Sequence, residues 1–259
     1  MNNLNNSLLA SLKEIHLEPT GEYEVSGFHE VDGAAASYVS RIFDTACVNT
    51  VGTENTAYNR FIESAPAKRV VVGKFDSLVE FLQMLRRSRG RPKAPEVSTD
   101  ALPIINVSRS YDVVYSTSDQ KRDTRASLKL ETIEDGNGKT YAALDRSQAA
   151  LTYTISALAF EKETLSLMLN AVSMHLKFAV HQSFSVPVML ANSTVDLDCT
   201  FTDSRDLIWS DMSAPTATDR LYAASVTLTI NADVVRALAV NAVTHRVGLY
   251  SSGMTAQHG

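Results

Sequence analysis

The chain is short of the residues that usually announce a chemistry. Its 259 residues hold only two cysteines, Cys47 and Cys199, far apart and without CxxC spacing. Neither a disulfide framework nor a cysteine metal site is expected from them. There is one tryptophan, and the net charge of −5 removes the basic surplus of a chain that binds nucleic acid over its whole surface. No apolar run approaches the roughly 20 residues a spanning helix needs. The start, Met1-Asn2-Asn3-Leu4-Asn5-Asn6, lacks the basic and apolar parts of a signal peptide. These absences together predict a soluble protein with reduced thiols, made in a cytoplasm and without a membrane partner.

Catalytic motifs are missing as well: no P-loop, GxGxxG, GxSxG or HExxH occurs. His175 and His181 are six positions apart, so on one helix they point about 240° from each other and cannot share a metal. Asp196 and Asp198 share one face of a strand and would suit a cation, but a solvated face is the plainer reading. No catalytic residue, cofactor site or metal site is expected, and the chain reads as a non-enzyme.

What is present is pattern, and it centres on 151–178. Leu151, Tyr153, Ile155, Ala157 and Ala159 alternate with Thr152, Thr154, Ser156 and Leu158, the period of a half-buried strand. From Glu161 the period changes. Leu165, Met168, Leu169, Val172 and Leu176 then form one helical stripe, with Glu161 and Glu163 at its positive end and Lys177 at its negative end.

In chain order, 1–33 reads as an acidic arm that orders against a partner or stays mobile, with a short helix through Leu4, Leu8, Leu12 and Ile15. A helix is predicted over 34–48, a loop over 52–67 and a short strand over 69–72. Ser77 and Glu80 have capping-box spacing at the start of a helix over 76–89. That helix runs into Arg86, Arg87, Arg89, Arg91 and Lys93 with no acid among them. The run suits phosphate or an acidic protein surface, or else cations at a helix C-terminus beside a solvated loop. No aromatic is interleaved to stack on bases.

After a linker over 94–100, strands are predicted at 102–107 and 111–115. Asp135-Gly136-Asn137-Gly138 then gives the turn of a projecting hairpin between 128–133 and 139–144. Strands follow over 184–190 and 195–201, the second placing Cys199 in the core. The 202–219 loop holds Trp209, either a plug tucked into the core or an anchor shown to a partner. A closing strand covers 220–230, and 234–240 is a separate short apolar piece. The expected fold is α+β: a mainly antiparallel, twisted sheet with two or three amphipathic helices packed on it, an extended hairpin and an N-terminal arm. The expected division is the arm at 1–33, a single domain at 34–240 and a loose tail at 241–259.

The order of these blocks resembles one family. Lys68-Arg69-Val70-Val71-Val72, the 76–89 helix, "LPIINV", "LTYTISALAFEKETLSLMLNAVSMHL", "FSVPVML" and "RLYAASVTLTI" fall in the order seen in the tail terminators of contractile-tailed bacteriophages of the T-even type, also called tail sheath stabilisers or tail completion proteins. The resemblance spans about 38–235 and leaves the acidic arm and the hairpin unmatched. It implies a virion protein, assembled in the host cytoplasm, that forms a homo-oligomeric ring of six. Such a ring caps the last ring of tail tube and sheath and offers a docking face to neck or connector proteins. On that implication the basic run Arg86–Lys93, the hairpin tip and Trp209 are the partner-facing residues, the arginines meeting an acidic neighbour or the passing DNA. A neck connector, a baseplate subunit and a nucleic-acid-binding module using those arginines are the other readings.

Overall fold

A computed structural model describes residues 13–49, 51–73, 80–81, 102–115, 131–179, 182–202, 206–215 and 220–246. Among them the order is β1 (Lys13–Val25), α1 (His29–Ile42), α2 (Thr56–Glu63), α3 (Pro66–Arg69), β2 (Val70–Val72), β3 (Ile104–Tyr115), β4 (Glu131–Glu134), β5 (Thr140–Ala159), α4 (Lys162–Phe178), β6 (Ser183–Leu190), β7 (Ser193–Thr202), β8 (Ser210–Asp211), β9 (Ala214–Pro215) and β10 (Arg220–Arg246). The fold is α+β, with a large curled sheet of mixed sense that carries the helices. Its spine follows the order β2-β3-β5-β10-β7-β6, and β1, β4, β8 and β9 add at the sides. Among the described residues only β2 and β3 pair in parallel; the other pairings are antiparallel. No helix among the described residues is long and apolar enough to cross a membrane.

Two strands organise everything else. β10 runs 27 residues without a glycine or proline to break it. It pairs with β5 without a register break from Tyr222↔Ala159 to Ala239↔Ala142. Its other edge is shared in turn by β9, β8, β7 and β1. In the first half of this ladder the odd positions of β5 and the even positions of β10 face the main core: Leu151, Tyr153 and Ile155 against Val226, Leu228 and Ile230. In the second half the phase is reversed, with Ala142 and Leu144 buried against Val235 and Ala237. Both strands change phase at opposing rungs, so the ladder turns over and its register survives.

The main core lies between one face of this sheet and α1, α2 and α4. The opposite face carries Thr152, Thr154, Ser156, Ser225, Thr227 and Thr229, as expected for an antiparallel sheet with one wetter side. At its end Phe81, Leu102, Ile104, Leu158, Leu221 and Ala223 form a second, smaller core.

The strand and helix at 151–178 form as their periodicity predicts. Several other expectations are corrected. The arm at 1–33 is in part a strand: β1 pairs with β10 from Lys13↔Arg246 to Val25↔Arg236, and α1 already begins at His29. Asp32, counted among the arm's acids, accepts hydrogen bonds from Tyr153 Oη (2.6 Å) and Arg109 Nε (2.8 Å). Partners inside the chain thus account for Asp32, which the sequence leaves either to an external partner or to a mobile arm. Part of the predicted 52–67 loop is α2, because Tyr58 and Phe61, three apart, reach the core. The separate piece at 234–240 and the start of the tail at 241–259 belong to β10, which β1 holds extended to Arg246. The polar pair Asn231 and Asp233 interrupts the apolar alternation and hides that continuity. Of the helix at 76–89, Glu80 and Phe81 are helical, and its remainder lies outside the described residues.

Arg146 clamps the rung where the ladder turns over. Its guanidinium grips Glu131 of β4 in bidentate fashion (2.6 and 2.8 Å). Its Nη1 donates to the Asp196 carbonyl of β7 (2.8 Å) and to Asp233 of β10 (3.1 Å). Asp233 also accepts the Asp198 backbone N–H at 3.3 Å. One side chain therefore ties four strands where β10 exchanges β7 for β1. Its hydrogen bonds hold the Glu131 carboxyl below its ordinary 4.5. A depressed carboxyl stabilises the fold above its ordinary value, and that contribution is lost as pH falls through the lowered one. Arg146→Met is expected to cost about 2 kcal/mol at neutral pH, since it strands the half-exposed Glu131 carboxylate and the mostly buried Asp233. Denaturant titrations should show the gap from wild type closing below pH 4.5.

Candidate assembly surfaces

The residues singled out in the sequence fall into three groups. Arg86, Arg87, Arg89, Arg91 and Lys93 lie outside the described residues. Asp135, Gly136, Asn137 and Gly138 form the exposed tip of the β4–β5 hairpin. That tip is internally satisfied. Asp135 Oδ1 accepts the backbone N–H groups of Asn137 (2.8 Å) and Lys139 (2.9 Å), and Gly138 N–H donates to the Asp135 carbonyl. The bonds from Lys139 and Asn137 lower the Asp135 pKa. Gly138 takes φ +74°, where a side chain would be strained. The tip is thus held in one conformation by its own bonds.

Trp209 resolves as a plug. It packs against the main core with Leu207, and its Nε1 donates to Ser173 Oγ of α4 at 2.9 Å. Its neighbour Ile208 is 82% exposed, so this loop presents an aliphatic side chain outward in place of the indole. Asp196 and Asp198 on β7 are both exposed, the solvated face of the plainer reading, and only their backbone atoms join the Arg146–Asp233 cluster. No cluster of three metal-ligating side chains occurs among the described residues.

A further surface was not legible in the sequence, because three distant segments build it. The C-terminal end of α1 brings Tyr38 and Arg41, the last turn of α4 brings His175, and the start of β6 brings Ser183, Phe184 and Ser185. Together they line a groove of about 430 Å³. Tyr38 is its floor. Its ring lies 4.8 Å from Phe201 and 5.7 Å from Phe184, with His175 edge-on at 5.9 Å. Burial raises the Tyr38 pKa, partly offset by Arg41, so the phenol stays a neutral donor. Arg41 and His175 are exposed at the groove, and Lys177, two residues on, is exposed outside its lining. Two helices thus end here with cations in their last turns, where the helix dipoles favour them. The groove is aromatic below and carries the Arg41 guanidinium at its rim, which suits an acidic segment carrying a ring.

Beside this floor, Cys199 faces the core and Cys47 is exposed. Burial, reinforced by Asp233 and Asp198, pushes the Cys199 thiol up to about 12. The folded state therefore keeps a proton that the unfolded chain releases, and stability from this group is full below pH 9 and lost between 9 and about 12. A disulfide-exchange reagent at pH 8 should titrate one thiol quickly in native protein and two in denaturant. Rapid native reaction at Cys199 would contradict its placement.

No protein-family model matches the chain, and no curated protein matches it.

Proposed function

We propose that the chain is a structural subunit of a contractile phage tail: a ring-forming terminator that caps tube and sheath at the end away from the baseplate and presents a docking face to the neck. Its role in this reading is mechanical, without catalysis or cofactor, and its site of action is the virion. The observation that carries the reading is where the family-like blocks fall. "LPIINV" opens β3, "LTYTISALAF" ends β5 and leads into α4, "FSVPVML" is the body of β6, and "RLYAASVTLTI" opens β10. These blocks are the frame of the sheet, and a frame of this kind suits the task. A ring under load needs stiff subunits holding two different surfaces at a set angle. The unbroken β5–β10 ladder, backed by helices on one face, supplies that stiffness.

The mass of the purified chain in solution, with negative-stain images of the same sample, tests the reading. Sixfold rings are expected. A large ring of clearly different symmetry would overturn the terminator reading in favour of a neck connector. Replacing Arg86, Arg87 and Arg89 together by Glu should leave the protein folded and impair tail completion or head–tail joining in an assembly assay. Normal assembly by that triple variant would remove the basic run from the partner surface.

A further inference from the structure

The groove between α1, α4 and β6 has a complement on the same chain. Residues 18–25 of β1 are exposed throughout and carry Glu18, Glu22 and Glu24 with no base. Tyr23 stands among them, 65% exposed, and Val25 shares its side of the strand. β1 pairs with β10 along one edge, and its other edge has no strand partner among the described residues.

We propose that this acidic strand of one copy docks into the Tyr38–Arg41–His175 groove of the next copy, making the groove the joint between subunits; the inference rests on the homo-oligomeric reading above. Tyr23 enters over Tyr38 and Phe184, where offset aromatic packing is available. Glu22 meets Arg41 at the rim in a charge-assisted hydrogen bond. The opening residues of β6, Ser183 to Ser185, border the groove, and the outer edge of β6 is unpaired among the described residues. Their backbone is therefore placed to add the incoming strand. Pro187, two residues further, has no N–H and limits that pairing to the start of β6.

A copy cannot satisfy its own groove. Glu24 accepts the Ala191 N–H at 2.7 Å, which pins this part of β1 beside the β6–β7 turn. The groove lies at the opposite end of the eight-residue β6, roughly 23 Å away at strand rise. Tyr141 Oη holds the same turn through the Ala191 carbonyl (2.9 Å), so donor strand and acceptor groove are fixed apart on one rigid body. Such a contact between two different surfaces is head-to-tail, the type from which rings are built.

The test is charge reversal and its repair, read by mass photometry across a concentration series, with circular dichroism as the folding control. Arg41→Glu and Glu22→Arg should each raise the concentration needed for assembly by at least about tenfold, as loss of a close interfacial ion pair does. The double variant should return to within a few-fold of wild type. A second readout uses a Cys47→Ser background, mixing Tyr23→Cys protein with Ser185→Cys protein; a disulfide between the two copies is expected under mild oxidation. Wild-type rings that neither single variant perturbs, with no cross-link, would overturn this joint while leaving the ring reading standing. A wild-type chain that stays monomeric at every concentration and gives no cross-link would overturn both.

Discussion

Arg146 is the interaction on which the architecture turns. A ladder as long as β5–β10 cannot keep one face toward a single compact core, because sheet twist accumulates along it. The strands answer by changing phase together, and the change places a guanidinium, two carboxylates and a split in the sheet at one rung. Asp233 would be costly there without Arg146, since it is mostly buried. With it, β4, β7 and β10 are held to β5 by a single planar fork that lysine cannot imitate. The split then lets β7 and β6 leave β10 while β1 takes their place. The tail of β10 is thereby covered, and β1 and β6 become two separate edges.

Those edges give the molecule its polarity. One is acidic and carries an exposed tyrosine; the other opens on an aromatic groove with the Arg41 guanidinium at its rim. Both are anchored to the same ladder, through the pairing of β1 with β10 and through the β6–β7 turn that Glu24 and Tyr141 hold. Asp32 plays the corresponding part on the helical side. It ties α1 to β5 through Tyr153 and to β3 through Arg109, whose guanidinium also lies 5.2 Å from the Phe28 ring. Polar bonds inside the chain thus orient β1, the β6–β7 turn and α1 on the same ladder.

Where local periodicity is strong, the amino-acid sequence alone determined the outcome. Alternation at 151–159 and the stripe from Leu165 to Leu176 each commit a segment to one element, because only one backbone period buries those side chains on one side. The turn at Asp135 to Gly138 was equally legible, since its positive φ needs glycine and its N–H groups need the Asp135 carboxylate. Tertiary structure alone decided what depends on a remote partner. The acids of β1 carry no strand pattern by themselves, and β10 makes them a strand by supplying backbone partners more than two hundred residues away. Asn231 and Asp233 look like a stop, but the strand runs on through both, and Arg146 and the Asp198 N–H of β7 satisfy Asp233. Tyr38, Arg41, His175 and Phe184 become a groove only when α1, α4 and β6 meet, and no local period records that meeting, because hydrogen bonding and packing across the sheet create it.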